Sequence, residues 1–155
     1  MEKNMEQRTI SIEVIGPLIK EQIDQGKDVI IKVSGHSMMP FYRHQETSVC
    51  LEKITKALKR FDVVFYQNFN GQYLLHRIIA IKNQSFIICG DALTKKEYLD
   101  KEQLIAKVKY HERKEKITCE NSCWYRGFVK MWWFLRPLRF VLIRFFLSKK
   151  NKGAK

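Results

Sequence analysis

A mainly β domain, its sheet coiled or barrel-like, led by one helix and followed by a basic amphipathic helical tail, is what this 155-residue sequence predicts. Three observations carry that expectation. Short apolar runs with period-two alternation recur between residues 28 and 112, separated by polar turns. Ahead of them, residues 10–25 repeat apolar side chains at helical intervals. At the far end, aromatic and aliphatic residues fall on one helical face among arginines.

In ISIEVIGPLIKEQIDQ, Ile12, Ile15, Ile19 and Ile23 share one face, and Gly26 is a plausible stop. DVIIKV then reads as a strand, with Val29, Ile31 and Val33 alternating against Ile30 and Lys32. A turn follows over Ser34–Pro40, and TSVCLEKI alternates again as a second strand. FDVVFYQN and QYLLHRIIAI are separated by FNG, a hairpin-like signal with Gly71 near its tip. QSFIICGDA is a further strand ending at Gly90-Asp91, and KEQLIAKVKYHE reads as a short turn and a last strand. The chain divides into an N-terminal helix over 1–27, a β domain over 28–118 and a basic, aromatic-rich tail over 119–155.

Composition narrows the class. With 45% hydrophobic and 29% charged residues the chain is globular in type. Residues 1–103 hold 15 Lys/Arg against 13 Asp/Glu, a balance of +2, whereas residues 104–155 hold 14 against 3, a balance of +11. A basic tail of this kind calls for an anionic partner, a membrane surface or a nucleic acid. MEKNMEQRT lacks the apolar core of a signal peptide, and no run reaches the roughly 18 apolar residues of a spanning helix. The expected location is therefore cytoplasmic, with Cys50, Cys89, Cys119 and Cys123 as thiols. CENSC with His111 upstream has the wrong spacing for a common zinc site, so neither metal nor cofactor is expected.

The chemistry concentrates in VSGHSMMP, residues 33–40, which sets Ser37 in a constrained turn. A serine hydroxyl becomes a nucleophile only beside a base, itself held by an orienting group. Of the four histidines, His36 adjoins the serine, His44 lies in a polar loop, and His111 lies in a charged stretch expected to be exposed. His76 differs, since it interrupts the apolar run YLLHRIIAI and should be held rigidly on a strand. A lone strand histidine is commonly just a core residue, and the Asp91 of ICGDA could equally be a turn former. Taken together, Ser37, His76 and Asp91 make a candidate catalytic set.

GHSMMP resembles the Gly-x-Ser-Met-x-Pro box around the nucleophile of the signal peptidase and repressor-cleavage superfamily of serine peptidases. Over residues 28–110 the order of features is similar too. RFDVVFY resembles the family's Gly-Asp-Val-Val-x-Phe, LLHRII its base-bearing strand, and CGDA its Gly-Asp box. The resemblance implies a signal-peptidase-type fold over 28–118, with Ser37 as nucleophile, His76 as general base in place of the lysine of many members, and Asp91 as orienting acid. Glu97 and Asp100 are alternatives for that third role. Two departures stand out: Phe61 where the family usually has Gly, and Gln45-Glu46 where it usually has Gly-Asp. The chain also lacks the N-terminal anchor of membrane-bound members, so it resembles the short, soluble ones.

The implied activity is that of a serine endopeptidase acting on a leader or precursor peptide at or near the inner membrane surface. An extended substrate would lie beside Val33 and Ser34, with Met38 either lining a pocket or, the preferred reading, filling the core. The alternative is a catalytically silent relative that binds peptides or membrane. In the tail, Met131, Phe134, Leu135, Leu138, Val141, Leu142, Phe145 and Phe146 fall on one face. Trp132, Trp133, Arg136, Arg139 and Arg144 are the expected membrane contacts, with Pro137 dividing the helix. Docking of this helix on the domain is the competing expectation. Nucleic acid is disfavoured, since no recognition motif is present.

Overall fold

The computed structural model of the chain describes residues 12–135 together with Leu138 and Val141. Helix α1 (Ile12–Asp24) leads into β1 (Val29–Lys32), β2 (Thr47–Glu52), β3 (Val63–Gln67), β4 (Tyr73–Lys82), β5 (Ser85–Cys89) and β6 (Glu97–Leu99). A single 3-10 turn at Lys101–Gln103 precedes β7 (Leu104–Arg113), β8 (Lys116–Cys119) and helix α2 (Cys123–Phe134). The protein is mainly β, as its alternation predicts.

All eight strands form one antiparallel sheet in the order β1-β2-β7-β3-β4-β5-β6, with β8 added to β7. On one side β7 pairs with β2; on the other it pairs first with β3 and then with β8. Register shifts interrupt the ladders at Cys50/Leu51, Phe65/Tyr66 and Ile78/Ala80. Such irregularities bend a strand and increase its twist. The short β6 and β8 are additions to the expected strands, so β7 is not the last of them.

Period-two geometry gives the sheet two differently furnished faces. On one face Val63, Phe65 and Tyr73 join Ile19 and Ile23 of α1. Burying a side chain such as Ile23 contributes roughly 1.5–3 kcal/mol. Gly16 lets α1 approach, since a Cβ there would collide with the Tyr73 ring. Farther along, Ile79, Cys89 and Phe61 pack under Tyr125, Val129 and Trp133 of α2. The opposite face carries Val64, Tyr66, Ile78, Phe86, Ile88 and Leu99. The N-terminal helix thus shares its core with the sheet.

Candidate active site

The turn carrying Ser37 is tied down on both flanks. Val33 N–H donates to Thr47 O (2.8 Å) and Val33 O accepts from Gln45 N–H (2.9 Å), which closes the loop between β1 and β2. Gly35 reverses the chain at φ +90, a conformation glycine adopts freely. Its N–H donates to His44 Nδ1 at 2.9 Å. Met38 drops into the α1 core, leaving Ser37 half-buried beside it. Ser37 O accepts from Ala92 N–H at 2.9 Å. Gly90 lies directly beneath, where a Cβ would come within 2.6 Å of that carbonyl. The glycine of CGDA is therefore required by the serine turn.

Two expected substrate contacts are corrected by this packing. Val33 is buried with its N–H and C=O both committed, and Met38 is buried in the core; of the three, only Ser34 is exposed. The preferred reading of Met38 as core filling holds.

His76 sits on β4, buried, with Nδ1 2.8 Å from the hydroxyl of Tyr66. β3 pairs with β4 through Val64↔His76, so Tyr66 is the diagonal neighbour two residues along the same face. The Tyr66 hydroxyl also donates to Glu97 Oε2 at 3.1 Å. Burial, then the neighbouring Glu97, pushes the Tyr66 phenol well above its ordinary pKa, so it keeps its proton. That one proton goes to Glu97, which leaves the hydroxyl oxygen to accept from His76 Nδ1–H. The tautomer assigned in this way exposes a lone pair on Nε2, the form a general base needs. Burial alone lowers the His76 pKa from 6.5 to about 4, so the ring is neutral at physiological pH.

The register then relates the serine turn to the histidine through Gly90. Arg77 pairs with Cys89, so Gly90 lies level with His76 one step beyond. The same Gly90 supports the Ser37 carbonyl. Among the described residues no hydrogen bond joins Ser37 to His76. Catalytic hydrogen bonds commonly tighten only when substrate is bound.

Arg77 points to the other face, and Asp91 goes with it. The guanidinium donates from Nε to Oδ1 (2.9 Å) and from Nη2 to Oδ2 (2.8 Å) of Asp91, with both side chains fully buried. It also reaches Phe61 O (2.8 Å) and the Tyr125 hydroxyl (3.0 Å). Burial opposes the charge on Arg77, but Asp91, Tyr125 and Glu120 outweigh it and hold the group protonated. Trp133 Nε1 donates to Asp91 Oδ1 and Trp132 Nε1 to Asp91 O, at 3.0 and 2.9 Å. The expectation that Asp91 orients His76 is thereby corrected. Neighbours on a strand face opposite ways, and the carboxylate is spent on Arg77. Asp100 is no partner for His76 either: its N–H donates to Gln103 Oε1 (3.0 Å) at the 3-10 turn, and its side chain is exposed. Of the three carboxylates, Glu97 is the one connected to His76, through Tyr66.

Other expectations are revised as well. His111 is buried, its Nδ1 2.7 Å from Glu120 Oε1, which also accepts from the Tyr42 hydroxyl at 2.7 Å. Trp132 and Trp133 dock on the body instead of facing outward, because α2 uses Tyr125, Val129 and Trp133 as its inner stripe. Arg136, Pro137, Arg139, Arg144, Leu142, Phe145 and Phe146 lie outside the described residues. Cys119 and Cys123 are exposed, and no cluster among the described residues could hold a metal ion. No described helix is long and apolar enough to cross a membrane.

No family model matches the chain, and no curated protein matches it.

Sequence reasoning missed Tyr66, Arg77 and Glu120 as members of these networks. The signal for Tyr66 and Arg77 was present in the alternation of VVFYQ and YLLHRII, which sets His76 and Arg77 on opposite faces.

Proposed function

We propose that this protein is a serine endopeptidase of the signal-peptidase-like type, in which Ser37 attacks a peptide carbonyl and His76 removes its proton. The observation carrying the proposal is the Glu97–Tyr66–His76 chain, which fixes a neutral imidazole level with the glycine that supports the Ser37 carbonyl. Glu97 and Tyr66 take the orienting role, with Arg77 and Asp91 as the brace on the other face. In the serine turn, Met39 N–H is taken by His36 O (3.2 Å), whereas among the described residues the N–H groups of Ser37 and Met38 donate to no protein acceptor. Those two amides are candidates for stabilising an oxyanion, a contribution typically worth about 100- to 1,000-fold in rate.

The two departures from the family pattern support the same reading. Gln45 stands at φ 58 and Phe61 at φ 75, both in the left-handed region that favours glycine. These are positions where the resembled pattern has Gly, so the backbone conformation persists although the residue does not. A second reading, a silent relative that binds peptides on this scaffold, draws on the missing Ser37–His76 hydrogen bond.

Comparing new peptide N-termini by mass spectrometry in host cells with the native chain or Ser37→Ala separates the two. Termini that vanish with Ser37→Ala establish the peptidase and reveal its specificity. Matching profiles, with both proteins folded, would leave the binding reading.

A further inference from the structure

Helix α2 is apolar on two sides, and only one of them is used by the fold. Tyr125, Val129 and Trp133 dock inward. On the outer side Trp124 is 82% exposed, Phe128 55%, Met131 52% and Phe134 85%. Leu138 and Val141, exposed as well, continue the same spacing of three and four residues. Cys123, Trp124, Gly127, Phe128 and Met131 line an open, predominantly apolar hollow. Nothing lies within 4 Å of where a Gly127 Cβ would be. A continuous row of large exposed apolar side chains marks an interaction surface, in contrast to the single exposed residues normal on any protein.

Charge decides the partner. From Asn121 to Lys155 the chain carries nine Lys/Arg and no Asp/Glu. A second copy set face to face would oppose two such stretches. An anionic bilayer surface complements them, accepting the apolar row among its acyl chains and the cations among its headgroups. We infer that the outer face of α2, from Trp124 through Phe128, Met131 and Phe134, lies in the interface of an anionic membrane. The contact begins one to two turns earlier than the tail composition suggests, and it does not involve Trp133. It also places the membrane on the far side of a helix whose inner side binds Asp91 and Arg77, so the sheet holds a fixed orientation to the bilayer. This inference does not depend on Ser37 being a nucleophile.

The test uses the full chain with vesicles of phosphatidylcholine, with and without phosphatidylglycerol. Co-sedimentation is expected with the anionic vesicles and is expected to weaken at least tenfold in Trp124→Asp/Phe128→Asp, whose side chains leave the core untouched. Brominated acyl chains should quench the native protein's tryptophan fluorescence, and Trp124→Phe should remove most of that quenching. Undiminished binding by the double variant, or quenching unchanged in Trp124→Phe, would overturn the assignment. Dimerisation without lipid that the same double variant abolishes would assign the face to a second copy instead.

Discussion

The hydroxyl of Tyr66 lies 2.8 Å from His76 Nδ1 and 3.1 Å from Glu97 Oε2, so one phenol joins the imidazole to a carboxylate. Direct contact between histidine and acid is replaced by a relay across β3, β4 and β6. The relay works because a phenol that keeps its proton has one donor and an acceptor oxygen, and each end has one partner.

Tyr66→Phe keeps the ring and removes the relay. Losing the orientation of His76 should lower kcat about a hundredfold, the scale of a misplacement of about 1 Å at a reacting group. KM should stay near the native value. Glu97→Gln can still accept from Tyr66 and should be milder. Nitrogen NMR of His76 would show the shift in tautomer population that a purely structural role for Tyr66 would not produce. Native kcat in Tyr66→Phe would remove the relay from the mechanism.

Burial makes the acid behaviour of His76 diagnostic. With its pKa lowered from 6.5 to about 4, the base should stay competent through mildly acidic pH, and kcat/KM should fall only towards pH 4. Stability follows the same group. Below pH 6.5 the unfolded chain binds a proton that folded His76 refuses until about pH 4, so folding weakens as pH falls through that window and is unaffected by this group above it. The full effect is about 3 kcal/mol. Chemical denaturation across the window, native against His76→Phe, checks it; equal slopes would mean that His76 is hydrated.

Asp91→Asn tests the brace. It leaves the buried Arg77 guanidinium with Glu120, 3.7 Å away, as its remaining counter-charge, and breaking a buried pair costs about 3–5 kcal/mol, an upper bound here. Pairing it with Arg77→Met should recover much of that loss. Among molecules still folded, the pH dependence of kcat/KM should remain native, because Asp91 serves the opposite face from His76. A displaced pH profile would return Asp91 to the orienting role.

Most of the sheet was legible because β2, β3, β4 and β5 alternate strongly enough to fix both extent and face. β6 and β8, with three and four residues, are too short for a periodic signal and are defined by their neighbours. Ser37 and His76 were legible as a constrained hydroxyl and a strand-borne imidazole. The partner of His76 was harder to read, since GD beside HR suggests proximity without saying which of two adjacent side chains the aspartate meets. His111 looked exposed among charges, yet Glu120, nine residues later, supplies the partner that lets it be buried. Helix α2 carries two apolar stripes, and periodicity alone does not say which one turns inward.

Tyr125, Trp132 and Trp133 reach back from α2 to the buried Arg77–Asp91 pair, while the basic, aromatic-rich stretch begins before that helix. Compositional change and mechanical unit therefore do not coincide. A shortened chain ending at 118 would uncover a charged pair that water could enter, and the end of β5 under the serine turn would lose its support. The segment whose composition points to a lipid surface is also a structural keystone, so proteolytic trimming of it would disable the protein rather than merely release it.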